Sequence, residues 1–157
     1  MARRLDYSTI AAAGMKALGG VYAYVGQSGL PKSLIDLVYL RTSQINGCAY
    51  CIDIHSRDLI KDGMAIEKLV LVPVWREAKG LFTDRERAAL NWAEGVTRVA
   101  EAEIPDADFA TAAAVFSEKE LADLTIAIGL MNAYNRMAIS FRAEPAAAQR
   151  LGGEAHG

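Results

Sequence analysis

The chain has 157 residues, 52% of them hydrophobic, and a formal net charge of −2. That length bounds one domain able to bury about 70% of its unfolded surface. Acids and bases are interspersed, which speaks against a basic nucleic-acid face or an acidic disordered arm, and no apolar run approaches the ~20 residues of a membrane span.

Abundant Ala, scarce Pro and 3.6-residue periodicity predict an all-α domain of about six or seven helices, with no strand. Arg3-Arg4 ahead of Ile10-Ala11-Ala12-Ala13 has the outline of a signal peptide, but Asp6 and Lys16 interrupt it. An amphipathic first helix is expected instead, from Ser8 as N-cap to Val25. Gly26-Gln27-Ser28-Gly29 is a turn, and Pro31 sits where a second helix starts, running to Ile45. Asn46-Gly47 breaks it. A third helix opens at Cys48 and stops at Asp62-Gly63, followed by a short one over Ala65–Leu71 that Pro73 ends. Thr83-Asp84-Arg85-Glu86 is a capping box opening a helix to Arg98. Pro105-Asp106 opens another, to Val115. A second capping box, Ser117-Glu118-Lys119-Glu120, opens a long helix to Arg142. One domain is thus expected over 1–157, its core at 6–142, with a frayed, flexible tail from Pro145.

Both cysteines and one of the two histidines fall within Cys48-Ala49-Tyr50-Cys51-Ile52-Asp53-Ile54-His55. On a helix, positions 48, 51 and 55 share one face. The spacing proposes a dithiol redox centre with its own base. A thiolate attacks peroxides and disulfides far faster than a thiol, and a cysteine pKa of ~8.5 falls at a helix N-terminus or beside a histidine. His55 is one helical turn from Cys51 and two from Cys48, which assigns Cys51 as attacking thiol, His55 as its base and Cys48 as resolving thiol. The helix dipole argues the other way, since it favours an anion at Cys48, the more N-terminal sulfur.

The string Asp36-Leu37-Val38-Tyr39-Leu40-Arg41-Thr42-Ser43-Gln44-Ile45-Asn46-Gly47-Cys48-Ala49-Tyr50-Cys51, with His55 after it, resembles the core of the AhpD-like alkylhydroperoxidases of the carboxymuconolactone decarboxylase superfamily. Thr83-Asp84-Arg85-Glu86-Arg87-Ala88-Ala89-Leu90 and Asn132-Ala133-Tyr134-Asn135-Arg136 match further, and the resemblance spans Asp6 to Arg142. It implies a helical homo-oligomer, trimeric or hexameric, and a thiol peroxidase that reduces hydrogen peroxide or alkyl hydroperoxides. An external dithiol, lipoyl or thioredoxin-like, would reopen the disulfide, with no cofactor. It also implies a proton relay through an acid twelve residues before the first cysteine. That position is Asp36, where the family usually has the longer Glu. A histidine that can precede the second cysteine is replaced by Tyr50. The decarboxylase branch generally lacks the cysteine pair, so the dithiol argues against lactone decarboxylation.

Other readings stand beside this one. The dithiol could serve general protein-disulfide exchange or redox regulation, or merely stabilise a non-catalytic helical oligomer. Cys48, Cys51, His55 and Asp36 could hold zinc, but no second ligand pair exists and no resident metal is expected. Asp36 could simply pair with Arg41. Asp58 could orient His55, Tyr39 could donate a hydrogen bond in the site, and Tyr50 could shape access to the thiols. Asn132, Asn135 and Arg136 are read as a structural network or subunit contact, and Ser43, Gln44 and Asn46 as partners of backbone groups near the thiols. A lone Cys-x-x-Cys pair fits a reducing, cytoplasmic compartment.

Overall fold

A computed structural model describes residues 3–154; His156 lies outside them. The described residues form nine α-helices and no strand: α1 (Tyr7–Ile10), α2 (Ala12–Gly26), α3 (Lys32–Asn46), α4 (Ala49–Lys61), α5 (Ile66–Val70), α6 (Asp84–Thr97), α7 (Asp106–Ala113), α8 (Glu118–Phe141) and α9 (Ala146–Glu154). A single 3₁₀ turn, Val72–Val74, follows α5 and contains Pro73. The all-α class is as expected. The two additional helices come from the chain's ends.

At the N-terminus the single helix expected from Ser8 is split. Ala11 leaves helical geometry (φ −111°, ψ 39°), and Ser8 is inside α1 rather than at its cap. The Ser8 and Thr9 hydroxyls both donate to the Asp6 carboxylate, which Arg3 also pairs. The expected amphipathic character is corrected too. Of the fifteen residues of α2 only Val25 is buried, while Ile10, Val21, Tyr22 and Tyr24 are exposed. At the other end, where a frayed tail was expected, Ala146–Glu154 is helical. The Ala147 N–H donates to Asp53 Oδ2 at 3.1 Å, tying α9 to α4.

The organising element is α3. From Leu34 to Leu40 every residue is buried, so this helix is enclosed all round rather than on one stripe. It packs against α4, α6 and α8. One core cluster, including Val38, Tyr39, Ala89, Leu124 and Ile128, fills the space between α3, α6 and α8. A second, built on Leu37, Leu40, Leu59, Val72, Trp75 and Leu90, joins α3 to α4 and α6. Trp92, Phe82 and Phe116 are also buried.

Both capping boxes form. Thr83 and Glu86 exchange side-chain and backbone hydrogen bonds at the start of α6, and Ser117 and Glu120 do the same for α8. Between α3 and α4 the chain reverses at Gly47, whose φ of 71° lies in the left-handed region that a Cβ disfavours. The Cys48 N–H reaches back to Ser43 O at 2.9 Å, which closes the end of α3 and sets Cys48 at the start of α4.

Candidate active site

Cys48 is the N-cap of α4. Its sulfur accepts the Cys51 backbone N–H at 3.4 Å. Both cysteines are free, with their sulfurs 2.6 Å apart. Once Cys48 is ionised, the remaining proton sits on Cys51 and is donated to Cys48. The consequence is a split pair. Cys48 is lowered to about 7, chiefly by the Cys51 side chain; burial opposes this, while the Cys51 N–H and Asn135 add to it. Cys51 is raised, first by the same hydrogen bond and then by burial and the charge on Cys48. The directions draw the pair's negative charge toward Cys48, the sulfur nearer the helix N-terminus. Access favours the other thiol. Cys51, not Cys48, lines a cavity of about 650 Å³.

That cavity is walled by Tyr7, Tyr22, Tyr50 and Tyr134, with Met15, Ile54 and Met131 between them and Arg3 and Glu144 among its polar members. Tyr50 lines the same cavity as Cys51. His55 lines the same cavity and is 6% exposed. Its direct contact with Cys51 does not form: no hydrogen bond joins the two side chains, and the Cys51 thiol is engaged by Cys48. One helical turn brings the two residues to the same cavity without bringing imidazole and thiol to bonding distance.

His55 faces Asp36 instead, with Nδ1 3.7 Å from Oδ1. That separation is too long for a hydrogen bond, and Nδ1 is buried without a partner. Asp36 is buried on α3. Burial alone would raise its pKa, but His55 and Lys32 outweigh it and hold the carboxyl below its usual range. The Asp36–Arg41 pair does not occur. Arg41 is committed to Glu94 at 2.7 Å, which also binds Arg76 and, at 2.9 Å, the Trp75 indole N–H. The cation on Asp36 is Lys32, 2.6 Å away and shared with Asp62. Asp58 completes the group, with donor atoms of Asp36, His55 and Asp58 within 4.8 Å of one another.

Tyr39 stacks between two members of this region, its ring 5.1 Å from that of His55 and 6.1 Å from that of Tyr22. Its hydroxyl is buried without a partner, and burial pushes its pKa upward, so it remains a proton donor. Behind the thiols lies an amide network. Asn46 Nδ2 donates to Asn132 Oδ1 at 3.0 Å and to Asn135 Oδ1 at 2.9 Å, and Asn135 Nδ2 donates to Ser43 Oγ at 3.0 Å. The motif around Asn132–Arg136 is thus structural, as read, but Asn135 also touches the electrostatics of both sulfurs. Sequence reasoning missed Lys32, although its i,i+4 spacing to Asp36 is a readable signal.

Two free cysteines at the start of α4, one of them on a cavity wall, make this the candidate site. The sequence profile described as "Carboxymuconolactone decarboxylase family" matches residues 10–95. The uncharacterized protein YdfG of Bacillus subtilis is 31% identical over 140 residues, spanning 89% of this chain and 95% of that protein. Alkyl hydroperoxide reductase AhpD of Rhodospirillum centenum is 34% identical over 79 residues, 48% of this chain and 42% of that one. A crystal structure of a protein of unknown function from Agrobacterium tumefaciens, ATU0492, whose description suggests the antioxidant defence protein AhpD, superposes with a TM-score of 0.88 at 40% identity, covering 92% of this chain and 98% of that one. The chain belongs to the carboxymuconolactone decarboxylase family, among its AhpD-like members. No helix of the described residues is long and apolar enough to cross a membrane.

Proposed function

We propose that the chain is a thiol-dependent peroxidase that reduces hydrogen peroxide or alkyl hydroperoxides by cycling Cys48 and Cys51 between dithiol and disulfide. The observation that carries this reading is the Cys51 sulfur on a cavity wall with the Cys48 sulfur directly beside it, near enough to close a disulfide. Cys51 attacks as thiolate after its proton has passed to Cys48; this is the minor form of the pair, drawn on because Cys51 is the sulfur that reaches the cavity. The Cys51 sulfur takes the distal peroxide oxygen, the O–O bond breaks, and the leaving alkoxide takes a proton from the His55–Asp36 pair through water in the cavity. Cys51 is then a sulfenic acid. The Cys48 sulfur displaces its hydroxyl as water and the disulfide closes. Two electrons and two protons from an external dithiol, lipoyl or thioredoxin-like, restore the start, in a reducing and hence cytoplasmic setting.

The bare surface of α2 supports a homo-oligomer, trimeric or hexameric. Gly14, Gly19 and Gly20 each have open space where a Cβ would stand, so no neighbour within the chain accounts for their helix-weakening presence. A second reading, exchange with protein disulfides, is favoured by one observation. A Cys48 pKa of about 7 is near the optimum for an attacking thiol at neutral pH.

Stopped-flow mixing of the fully reduced, metal-free protein with cumene hydroperoxide decides between them. Fast stoichiometric consumption, absent in Cys51→Ser, is the expected result. Consumption no faster than a free thiol, with rapid equilibration against thiol–disulfide buffers, would replace the peroxidase by the exchange reading.

A further inference from the structure

Beside the thiols lies a group of side chains that the peroxide chemistry uses only in part. Asp36 on α3 and His55 and Asp58 on α4 bring two carboxylates and an imidazole together, each offering a donor atom within 4.8 Å of the others. We propose that Asp36, His55 and Asp58 form an exchangeable site for a first-row divalent cation of the zinc type, separate from the cysteine pair.

Three observations carry it. First, His55 Nδ1 is buried and has no hydrogen-bond partner. A buried nitrogen lone pair or N–H left without a partner is costly, and a cation bridging it to the nearby carboxylates would satisfy it. Second, the spacing is close to a ligand set. Donor atoms at about 2.0–2.1 Å in a tetrahedron stand about 3.4 Å apart. The Nδ1 to Asp36 Oδ1 distance of 3.7 Å needs only a small contraction. Asp58 is half-buried at the edge of the group, with a carboxylate oxygen already within 4.8 Å of the other donors. Third, the donor chemistry fits. Mixed imidazole and carboxylate ligands suit zinc, manganese and cobalt, with water completing the shell. Among the described residues no cysteine joins a three-ligand group of this kind, so the site does not depend on the thiols.

Lys32 is the internal competitor. Its ammonium is 2.6 Å from Asp36 and equally close to Asp62, on a side chain that is 64% exposed. A cation entering from that side would displace Lys32 from Asp36 while leaving it paired with Asp62, so the lysine weakens binding without blocking entry. A metal on Nδ1 would also take His55 and Asp36 out of proton transfer. The binding claim does not rest on the peroxidase reading.

The test uses the full-length Cys48→Ser/Cys51→Ser variant, which removes thiol ligation, titrated with Zn²⁺ by calorimetry and with Co²⁺ by visible absorption. The expected result is one cation per chain, abolished by His55→Ala, weakened at least tenfold by Asp58→Asn and tightened by Lys32→Met. Circular dichroism of each variant separates lost ligands from lost fold. The thiol-free protein binding no Zn²⁺ would overturn the proposal. So would binding that survives His55→Ala, which would place the metal on His156, the only other histidine, or elsewhere. Undiminished affinity in a folded Asp58→Asn variant would overturn it as well.

Discussion

The acidity of Cys48 is predicted to belong to the sulfur–sulfur hydrogen bond rather than to the helix start alone. With a pKa of about 7, roughly half of Cys48 is thiolate at pH 7, against about 3% for a free cysteine near 8.5. Cys51→Ala removes the leading cause of that lowering. The residue 51 N–H and Asn135 remain, but burial now acts against a weaker opposition. The Cys48 midpoint should therefore rise to about 8.5 or above, and the thiolate fraction at pH 7 should fall on the order of 15-fold. Thiolate absorbance at 240 nm, read from pH 5 to 10 on the reduced protein, follows this directly, and iodoacetamide alkylation rates give an independent midpoint. The sign is fixed: thiolate is present above the midpoint and lost as pH falls through it, so alkylation of the parent should slow below pH 7. A Cys51→Ala variant that still titrates near 7 would refute the reasoning and assign the acidity to the first turn of α4. A Cys48→Ala variant with a midpoint near 7 would make Cys51 the acidic thiol.

Three further outcomes follow from the packing. Asn135→Leu, at a fully buried position, strands Ser43 Oγ and loosens Asn46. It should cost about 2–4 kcal/mol in urea unfolding and raise the Cys48 midpoint. Glu94→Ala leaves the nearly buried Arg41 without its carboxylate, and a loss of about 3–5 kcal/mol is expected in the same assay. Gly47→Ala meets no atom within 4 Å, so its cost comes from the left-handed backbone alone, about 1–2 kcal/mol, visible as a lower Tm.

Local signals were the legible part of this chain. Thr83-x-x-Glu86 and Ser117-x-x-Glu120 announced helix starts because their hydrogen bonds run within four residues, and Asn46-Gly47 announced a stop because only its backbone freedom suits the turn. The break at Ala11 was not legible. It falls in an alanine run with no Gly or Pro to mark it, so local propensity favours continuing. The site divides in the same way. Cys48, Cys51, His55 and Asp36 were readable from spacing and resemblance. The partner of Asp36 was readable only through the i,i+4 spacing of Lys32, while the pairing of Arg41 with Glu94 on α6 was not. The Asn46–Asn132–Asn135 network joins residues 86 and 89 positions apart, a distance over which no sequence pattern speaks.

Cys48 plays two parts, since the sulfur that would resolve an oxidised Cys51 is also the acceptor that holds the first turn of α4. Oxidation to a disulfide discharges that sulfur and leaves a much poorer acceptor at the helix start. Each turnover would thus loosen and re-tighten the opening of the helix that carries His55. Amide exchange at Tyr50 and Cys51 should accelerate in the oxidised form, so that backbone protection becomes a gauge of redox state.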